Sequence, residues 1–375
     1  MRRSLWVVAA LAVMAAVIGA VMVNLPDLKD EGGGAGLAAN GTIVYEASGN
    51  IRMVNPDGSE DGRVIGALND GIAQTCPRYS PDGVWLSHQE SLFGGLVGDP
   101  DLEKVSLVSS HVDADGRPNP AARSATVFEG SNIFEGSSMG PCGRWSPDGG
   151  SMALFQVTDD GVLGIAIVSM DEIAVLFLPH TPHLASIAWS PDGTFLAFPT
   201  VEGIAMSRPA TCEIQVVPTS VTPKELSWSP DGNRFAYTGI PDLADRTDLF
   251  LINRDGTNEI QLTRGREWES HPAWSPLGDN LAFVQETCDP NGCRSHIAMH
   301  TSGHFVALPP ARIDNQVTTS IQGPLVWSPD AQWILHVASG PFTLPGQPLV
   351  IAPAQGVPQL VTIEFGITSY DWQRR

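Results

Sequence analysis

Two cysteines and three histidines lie close together in the sequence and have the ligand types of a metal site. Cys288 and Cys293 enclose the turn sequence Asp-Pro-Asn-Gly, which places the two thiols opposite each other across a hairpin. We therefore expect a disulfide there. Zinc is the alternative, because His296, His300 and His304 follow. On one strand, however, His296 and His300 would lie about 13 Å apart, which is too far for one tetrahedral ion.

A second segment carries the oxygen ligands that calcium prefers. Asp113, Asp115 and Asn119 lie in the run Asp-Ala-Asp-Gly-Arg-Pro-Asn. The run lacks the third acidic position and the closing glutamate of a calcium loop, so an Asp-Gly turn between strands is the simpler interpretation. The sequence contains no Gly-rich phosphate loop followed by lysine, no His-Glu-x-x-His and no Cys-x-x-Cys. We predict no cofactor, and the three residues remain weak metal candidates.

The composition excludes some partners and favours one class of fold. The 375 residues include 21 basic and 41 acidic side chains, 38 glycines and 30 prolines, with a formal net charge of -20. Nucleic-acid-binding faces are basic, so we expect no nucleic-acid partner. Many glycines and prolines with few charges are typical of an all-β protein with many turns.

The N-terminus has the pattern of a membrane anchor. Arg2 and Arg3 precede an uncharged run over residues 5–23, which is long enough to cross a bilayer as one helix. The basic flank predicts a cytoplasmic N-terminus and an extracytoplasmic main domain on a single-pass cell-membrane protein. Residues 1–25 are thus an anchor or uncleaved signal, and residues 26–40 a Gly/Ala-rich linker. Cleavage, which would release a secreted or periplasmic domain, is the alternative.

A repeated five-residue phrase fills the rest of the chain. An aromatic residue precedes Ser-Pro-Asp-Gly, in which serine and proline start a tight turn and glycine tolerates its exit geometry. An apolar segment follows each time, so each phrase predicts a hairpin. The aromatic anchors, including a degenerate last copy without the turn, are Tyr79, Trp145, Trp189, Trp228, Trp274, Trp327 and Trp372.

The spacing of the anchors, with four strands to each unit, is typical of propeller blades. These residues resemble the TolB-like propeller repeat, and the resemblance implies a β-propeller over residues 41–375. We expect seven blades, with six as the alternative. Residues 366–372 form a first strand that lacks its successors, and residues 41–66 form later strands that lack a first; their pairing would close the ring. We expect a long surface excursion over residues 92–124.

The position three residues before each anchor should face the central channel. Around the ring it is occupied by Cys76, Cys142, Ser186, Glu225, His271, Pro324 and Ser369. The two cysteines are equivalent positions in consecutive blades, where a disulfide and two buried thiols are both open.

The remaining cysteine and two of the channel positions complete the set of candidates. Cys212 has no evident partner, and we expect it to be buried. Glu225 and His271 are the two channel residues capable of acid–base or metal chemistry, and they remain weak catalytic candidates. A structural role for His271, hydrogen-bonded to backbone, is the simpler interpretation.

Two classes of function follow. The first is a protein-binding or scaffold module that docks another protein or an envelope component through a propeller face, either alone or as an accessory subunit of a membrane complex. The second is an extracytoplasmic carbohydrate-active lyase or hydrolase with its site at the channel, around Glu225 and His271.

Overall fold

The computed structural model describes most of the chain after the linker. The described ranges are 41–65, 72–92, 104–112, 117–118, 125–131, 142–157, 163–169, 175–179, 186–241, 245–290, 292–309, 312–313, 316–317, 320–339, 348–354, 359–362 and 367–373. The predicted anchor and linker lie outside them, as do Asp113, Asp115 and Asn119. Across those ranges, no helix has the length and apolar character needed to span a bilayer. The fold is all-β, as predicted, with strands and turns throughout the described residues.

Most strands form antiparallel meanders of neighbours in the chain. The first three strands share a sheet with the last, and their bounds are β1 (Ile43–Ala47), β2 (Asn50–Val54), β3 (Gly62–Ile65) and β30 (Ile367–Trp372). The next two meanders are β4 (Ile72–Tyr79), β5 (Trp85–Leu92), β6 (Lys104–His111) and β7 (Ala125–Ser131), then β8 (Arg144–Trp145), β9 (Ser151–Val157), β10 (Leu163–Ser169) and β11 (Val175–Pro179). A pairing of Ser131 with Val157 joins these two meanders into one sheet.

The remaining strands repeat the same arrangement. Two four-stranded sheets are β12 (Ala188–Trp189), β13 (Leu196–Thr200), β14 (Gly203–Arg208) and β15 (Glu213–Pro218), then β16 (Pro223–Trp228), β17 (Arg234–Gly239), β18 (Asp248–Asn253) and β19 (Ile260–Gln261). Two more are β20 (Trp268–Trp274), β21 (Asn280–Asp289), β22 (Gly292–Thr301) and β23 (His304–Ala307), then β26 (Ser320–Trp327), β27 (Trp333–Ser339), β28 (Leu349–Pro353) and β29 (Gln359–Thr362). A small pair, β24 (Arg312–Ile313) and β25 (Gln316–Val317), lies between them in the chain.

The expected surface excursion over residues 92–124 is wrong for part of that stretch. Lys104–His111 is a strand, β6, that pairs along β5 from Trp85 to Ser91. Its sequence, KVSLVSSH, mixes β-branched, leucine and small polar residues, which suits a strand lying between two partners. The flanking segments are rich in Gly and Pro, so the sequence pattern predicted a loop where β6 lies.

The first and last strands complete one sheet. β30 pairs antiparallel with β1, so that Ile43 lies opposite Trp372 and Tyr45 opposite Tyr370. The strands that carry the aromatic anchors then contact one another in the cyclic order β30, β4, β8, β12, β16, β20, β26 and again β30. These innermost strands therefore surround a common axis, and the meanders extend outward from it.

Each tight turn is held by its own serine and aspartate. In the turn after Trp189, the Ser190 hydroxyl donates to Asp192 Oδ1 and accepts from the Phe195 backbone N–H at 2.9 Å. Gly193 has a φ of 71°, a left-handed conformation that favours glycine. One copy replaces aspartate with Leu277, which is 72% exposed, and there Ser275 donates to Asp279 instead.

Four of the tryptophan anchors, Trp145, Trp189, Trp228 and Trp327, hydrogen-bond the inner strand of the preceding repeat. The Trp189 indole N–H donates to the carbonyl of Arg144 at 3.0 Å, and that of Trp228 to the carbonyl of Ala188 at 3.2 Å. In both cases the acceptor is the residue immediately before the preceding anchor. The apolar core lies between adjacent sheets, as in the cluster that joins Phe198 to Phe155. This packing, with the indole hydrogen bond in four of the repeats, explains why an aromatic residue recurs before each turn.

Candidate functional site

Glu225 and His271 are in contact near the inner strands, and their closest contact is structural. The His271 backbone N–H donates to Glu225 Oε2 at 2.5 Å. The imidazole Nε2 lies 3.6 Å from Glu225 Oε1, and Nδ1 lies 3.0 Å from the Ser270 hydroxyl. Both side chains are half-buried. The pair could share a proton or bind a cation, although one carboxylate oxygen already accepts a backbone hydrogen bond.

The same backbone contact recurs elsewhere in the ring, which gives it a structural meaning. Three residues before the first anchor, the Cys76 backbone N–H donates to the Ser369 hydroxyl at 3.0 Å. Cys76 and His271 both have a left-handed φ, of 56° and 53°. The side chain at this position therefore satisfies a backbone N–H that the bulge in the next inner strand leaves without a strand partner. Glu225 does for His271 what Ser369 does for Cys76.

Four of the five cysteines are bonded. Cys76 and Cys142 form a disulfide between the inner strand β4 and the residue two positions before β8, with their Cα atoms 5.2 Å apart. Cys288 and Cys293 form the second disulfide across the turn between β21 and β22, where they are direct register partners. Glu286 approaches the two sulfur atoms of the second disulfide, but those atoms are already bonded to each other.

The expectation that Cys212 is buried is wrong. It is an exposed free thiol in the turn between β14 and β15. Its backbone N–H donates to the carbonyl of Arg208 at 2.8 Å, and its φ is 56°. The turn therefore carries the side chain outward, and a single cysteine with no repeat-equivalent partner gave no signal of this in the sequence.

Sequence reasoning missed a charged cluster at the inner strands. The residues immediately before three consecutive anchors are Asp371, Arg78 and Arg144. Burial lowers the pKa of Arg78, and the charge of Asp371 opposes that shift. Burial, and then the charge of Arg78, lower the pKa of Arg144 to about 10. The signal was present, because all three occupy one repeat position, but only a closed ring makes strand β30 the neighbour of β4.

A second missed feature is a pair of buried carboxyl groups between two sheets. Asp248 at the start of β18 and Glu269 near the start of β20 are each 1% exposed. Glu269 Oε1 accepts from the Gln285 amide at 3.0 Å, and Asp248 accepts from the Gln261 amide. Burial, with the charge of Asp248 adding to it, raises the pKa of Glu269 to about 7.

Comparison with solved structures identifies the class of fold. The propeller domain of the trilobed protease from Pyrococcus furiosus, which has an open velcro topology, matches with a TM-score of 0.58 at 12% identity over 86% of this chain and 93% of its own. Oligogalacturonate lyase from Vibrio parahaemolyticus matches with 0.55 at 15% identity over 86% and 84%. TolB from Acinetobacter baumannii matches with 0.50 at 15% identity over 89% and 67%.

No protein-family model matches the sequence, and no curated protein matches it. The similarity to solved structures is therefore one of fold. The chain has a β-propeller fold similar to that of TolB, which confirms the fold that the repeat implied.

Proposed function

We propose that the chain is a protein-binding module built on a seven-bladed propeller. The cyclic contacts of the seven anchor-bearing strands support that blade number. A propeller is a rigid scaffold with loops on two faces, and loops on rigid scaffolds commonly carry binding residues. The observation that carries the proposal is that Glu225 is engaged by the backbone of His271, as Ser369 is by Cys76, so the best acid–base pair has a structural role.

The proposed setting is the outer face of the cytoplasmic membrane. Residues 5–23 would anchor the chain, and residues 26–40 would give the propeller reach from the bilayer. The partner would be another protein or an envelope component, and the chain would serve as a scaffold or as an accessory subunit of a membrane complex. The acidic composition favours a partner with a basic contact surface.

Two exposed turn residues allow the two propeller faces to be tested separately. Leu277, in a tight turn after an anchor, is 72% exposed, and Val201, in the turn between β13 and β14, is 69% exposed. These turns lie at opposite ends of the strands. A photo-crosslinking residue at each position, in cells that make the chain, should yield a discrete partner from one face and none from the other. Absence of a discrete product from both faces would contradict docking through a face.

An extracytoplasmic lyase or hydrolase is the second candidate. Two observations favour it: the fold match to oligogalacturonate lyase, and the 3.6 Å approach of His271 Nε2 to Glu225 Oε1. A screen of acidic polysaccharides with the wild type and with His271→Ala separates the two functions. Depolymerisation that is lost in a folded His271→Ala protein would replace the binding proposal with the enzymatic one.

A further inference from the structure

The residue just before each anchor is charged on three consecutive inner strands and small on the next three. The residues just before the anchors on β30, β4 and β8 are Asp371, Arg78 and Arg144, which carry two positive charges against one negative charge. On β12, β16 and β20 the same position is occupied by alanine, serine and alanine. The excess of positive charge is notable because the chain as a whole carries a net charge of -20.

Among the described residues, most hydrogen-bond donors of the two arginines have no partner. Arg78 is 7% exposed, and its Nη1 donates to the carbonyls of Pro77 and Tyr370. Its Nε is buried and has no hydrogen-bond partner among the described residues. The Arg144 guanidinium makes no hydrogen bond or ion pair with any residue in the described ranges. Arginine presents five N–H donors in a fixed fork, so the described residues leave most donors of this pair without a partner.

The single carboxylate of the cluster is engaged elsewhere. Asp371 Oδ2 accepts from the Tyr79 backbone N–H at 2.9 Å. No ion pair joins Asp371 to either arginine among the described residues. Asp371 therefore pairs with neither guanidinium, and the buried charge of Arg78 has no ion-pair partner among the described residues. A buried charge is costly unless it is paired and hydrogen-bonded.

A covalent bond holds the two arginine-bearing segments together. The Cys76–Cys142 disulfide lies two residues before Arg78 on one segment and two residues before Arg144 on the other. It brings the backbones to a Cα separation of 5.2 Å at that point. The two like charges therefore approach each other on strands that cannot move apart freely, which is the preorganisation that an anion site requires.

We propose that Arg78 and Arg144 bind a small oxyanion, a carboxylate or a phosphate, at the inner strands β4 and β8. Guanidinium groups bind both kinds of oxyanion through paired N–H donors. The anion would supply the charge and the acceptors that Asp371 does not, and the alanine and serine side chains at the same level would leave room for it.

The test measures anion binding to the full chain by calorimetry, with inorganic phosphate and acetate as separate probes in a buffer free of other oxyanions. We expect saturable binding of at least one probe at one site per chain. Arg144→Gln should weaken that binding at least tenfold, while Arg266→Gln, at an exposed arginine, should leave it unchanged. Binding of phosphate alone, or of acetate alone, identifies which oxyanion chemistry the site prefers.

The variant is expected to fold, because the Arg144 side chain makes no bond among the described residues that glutamine would break. If Arg144→Gln unfolds, Arg144→Lys keeps the charge and loses the fork, and it should still weaken binding. Equal binding by wild type and either folded variant, or no saturable binding of either probe by the wild type, would overturn the proposal.

Discussion

The buried carboxyl group of Glu269 makes a sharp prediction about stability and pH. Its pKa is about 7 in the folded chain against 4.5 for an ordinary glutamate, chiefly because of burial. The folded state therefore holds a proton that the unfolded state releases between these two values. Stability from this group is fully present below pH 4.5 and is lost as the pH rises through 7.

The magnitude follows from the two pKa values. The interval from 4.5 to about 7 corresponds to about 3 kcal/mol, at about 1.4 kcal/mol for each pH unit. Water that reaches the carboxylate as it ionises reduces this, so we expect about 2 kcal/mol. Glu269→Gln removes the titration and keeps an acceptor for the Gln285 amide. The charges of Asp248 and Glu267 act on the Glu269 carboxylate and are already included in its raised pKa, and Arg246, which lies 3.7 Å from Asp248, is present in both proteins.

The assay is urea unfolding of the wild type and Glu269→Gln at pH 5 and pH 8. The free energy of unfolding of Glu269→Gln, relative to that of the wild type, should be about 2 kcal/mol higher at pH 8 than at pH 5. Glu202→Gln, at an exposed turn residue, serves as the matched control and should show no such shift. A difference between wild type and Glu269→Gln that is the same at both pH values would refute the reasoning.

Three further predictions concern the ring and its fastenings. Trp189→Phe should lower the free energy of unfolding by about 1 kcal/mol more than Trp274→Phe, because the Trp274 indole N–H has no partner among the described residues; urea midpoints of both variants would show this, and equal losses would count against inter-sheet fastening. Replacing both Cys76 and Cys142 with serine should lower the free energy of unfolding by about 4 kcal/mol, because the disulfide closes a long loop. Urea unfolding without reductant measures this loss, and an unchanged midpoint would contradict the bond. Glu225→Ala should lower it by about 1 to 2 kcal/mol and Glu225→Gln by much less, since glutamine still accepts the backbone hydrogen bond; equal losses would argue against that structural role.

Most of the fold could be predicted from local sequence patterns. The Ser-Pro-Asp-Gly turns fixed where each anchor-bearing strand ends, because serine, proline and glycine act within five residues of one another. The copy that has Leu277 in place of aspartate folds the same way, because Asp279 accepts the hydrogen bond from the Ser275 hydroxyl. Strand β6 was not predicted from the sequence, because the glycine, proline and aspartate residues around it are typical of a loop.

The site features that sequence reasoning missed depend on ring closure or on packing between sheets. Arg78 lies next to Asp371 only because the last strand joins the first. Glu269 meets Asp248 across two sheets, where neither residue has a recognisable motif. Conversely, the repeat position identified Glu225 and His271 as candidates. The backbone hydrogen bond between them depends on a bulge with a left-handed φ at His271, and the residue type at that position did not predict this conformation.

The central claim, a membrane-held propeller that binds another protein, is tested most directly by mild detergent extraction of the native membrane. Size analysis and mass spectrometry of the extracted species would follow. We predict a stable complex in which this chain travels with a second protein and retains residues 1–25. A lone chain of 39.9 kDa, or a shorter one released without detergent, would contradict the claim.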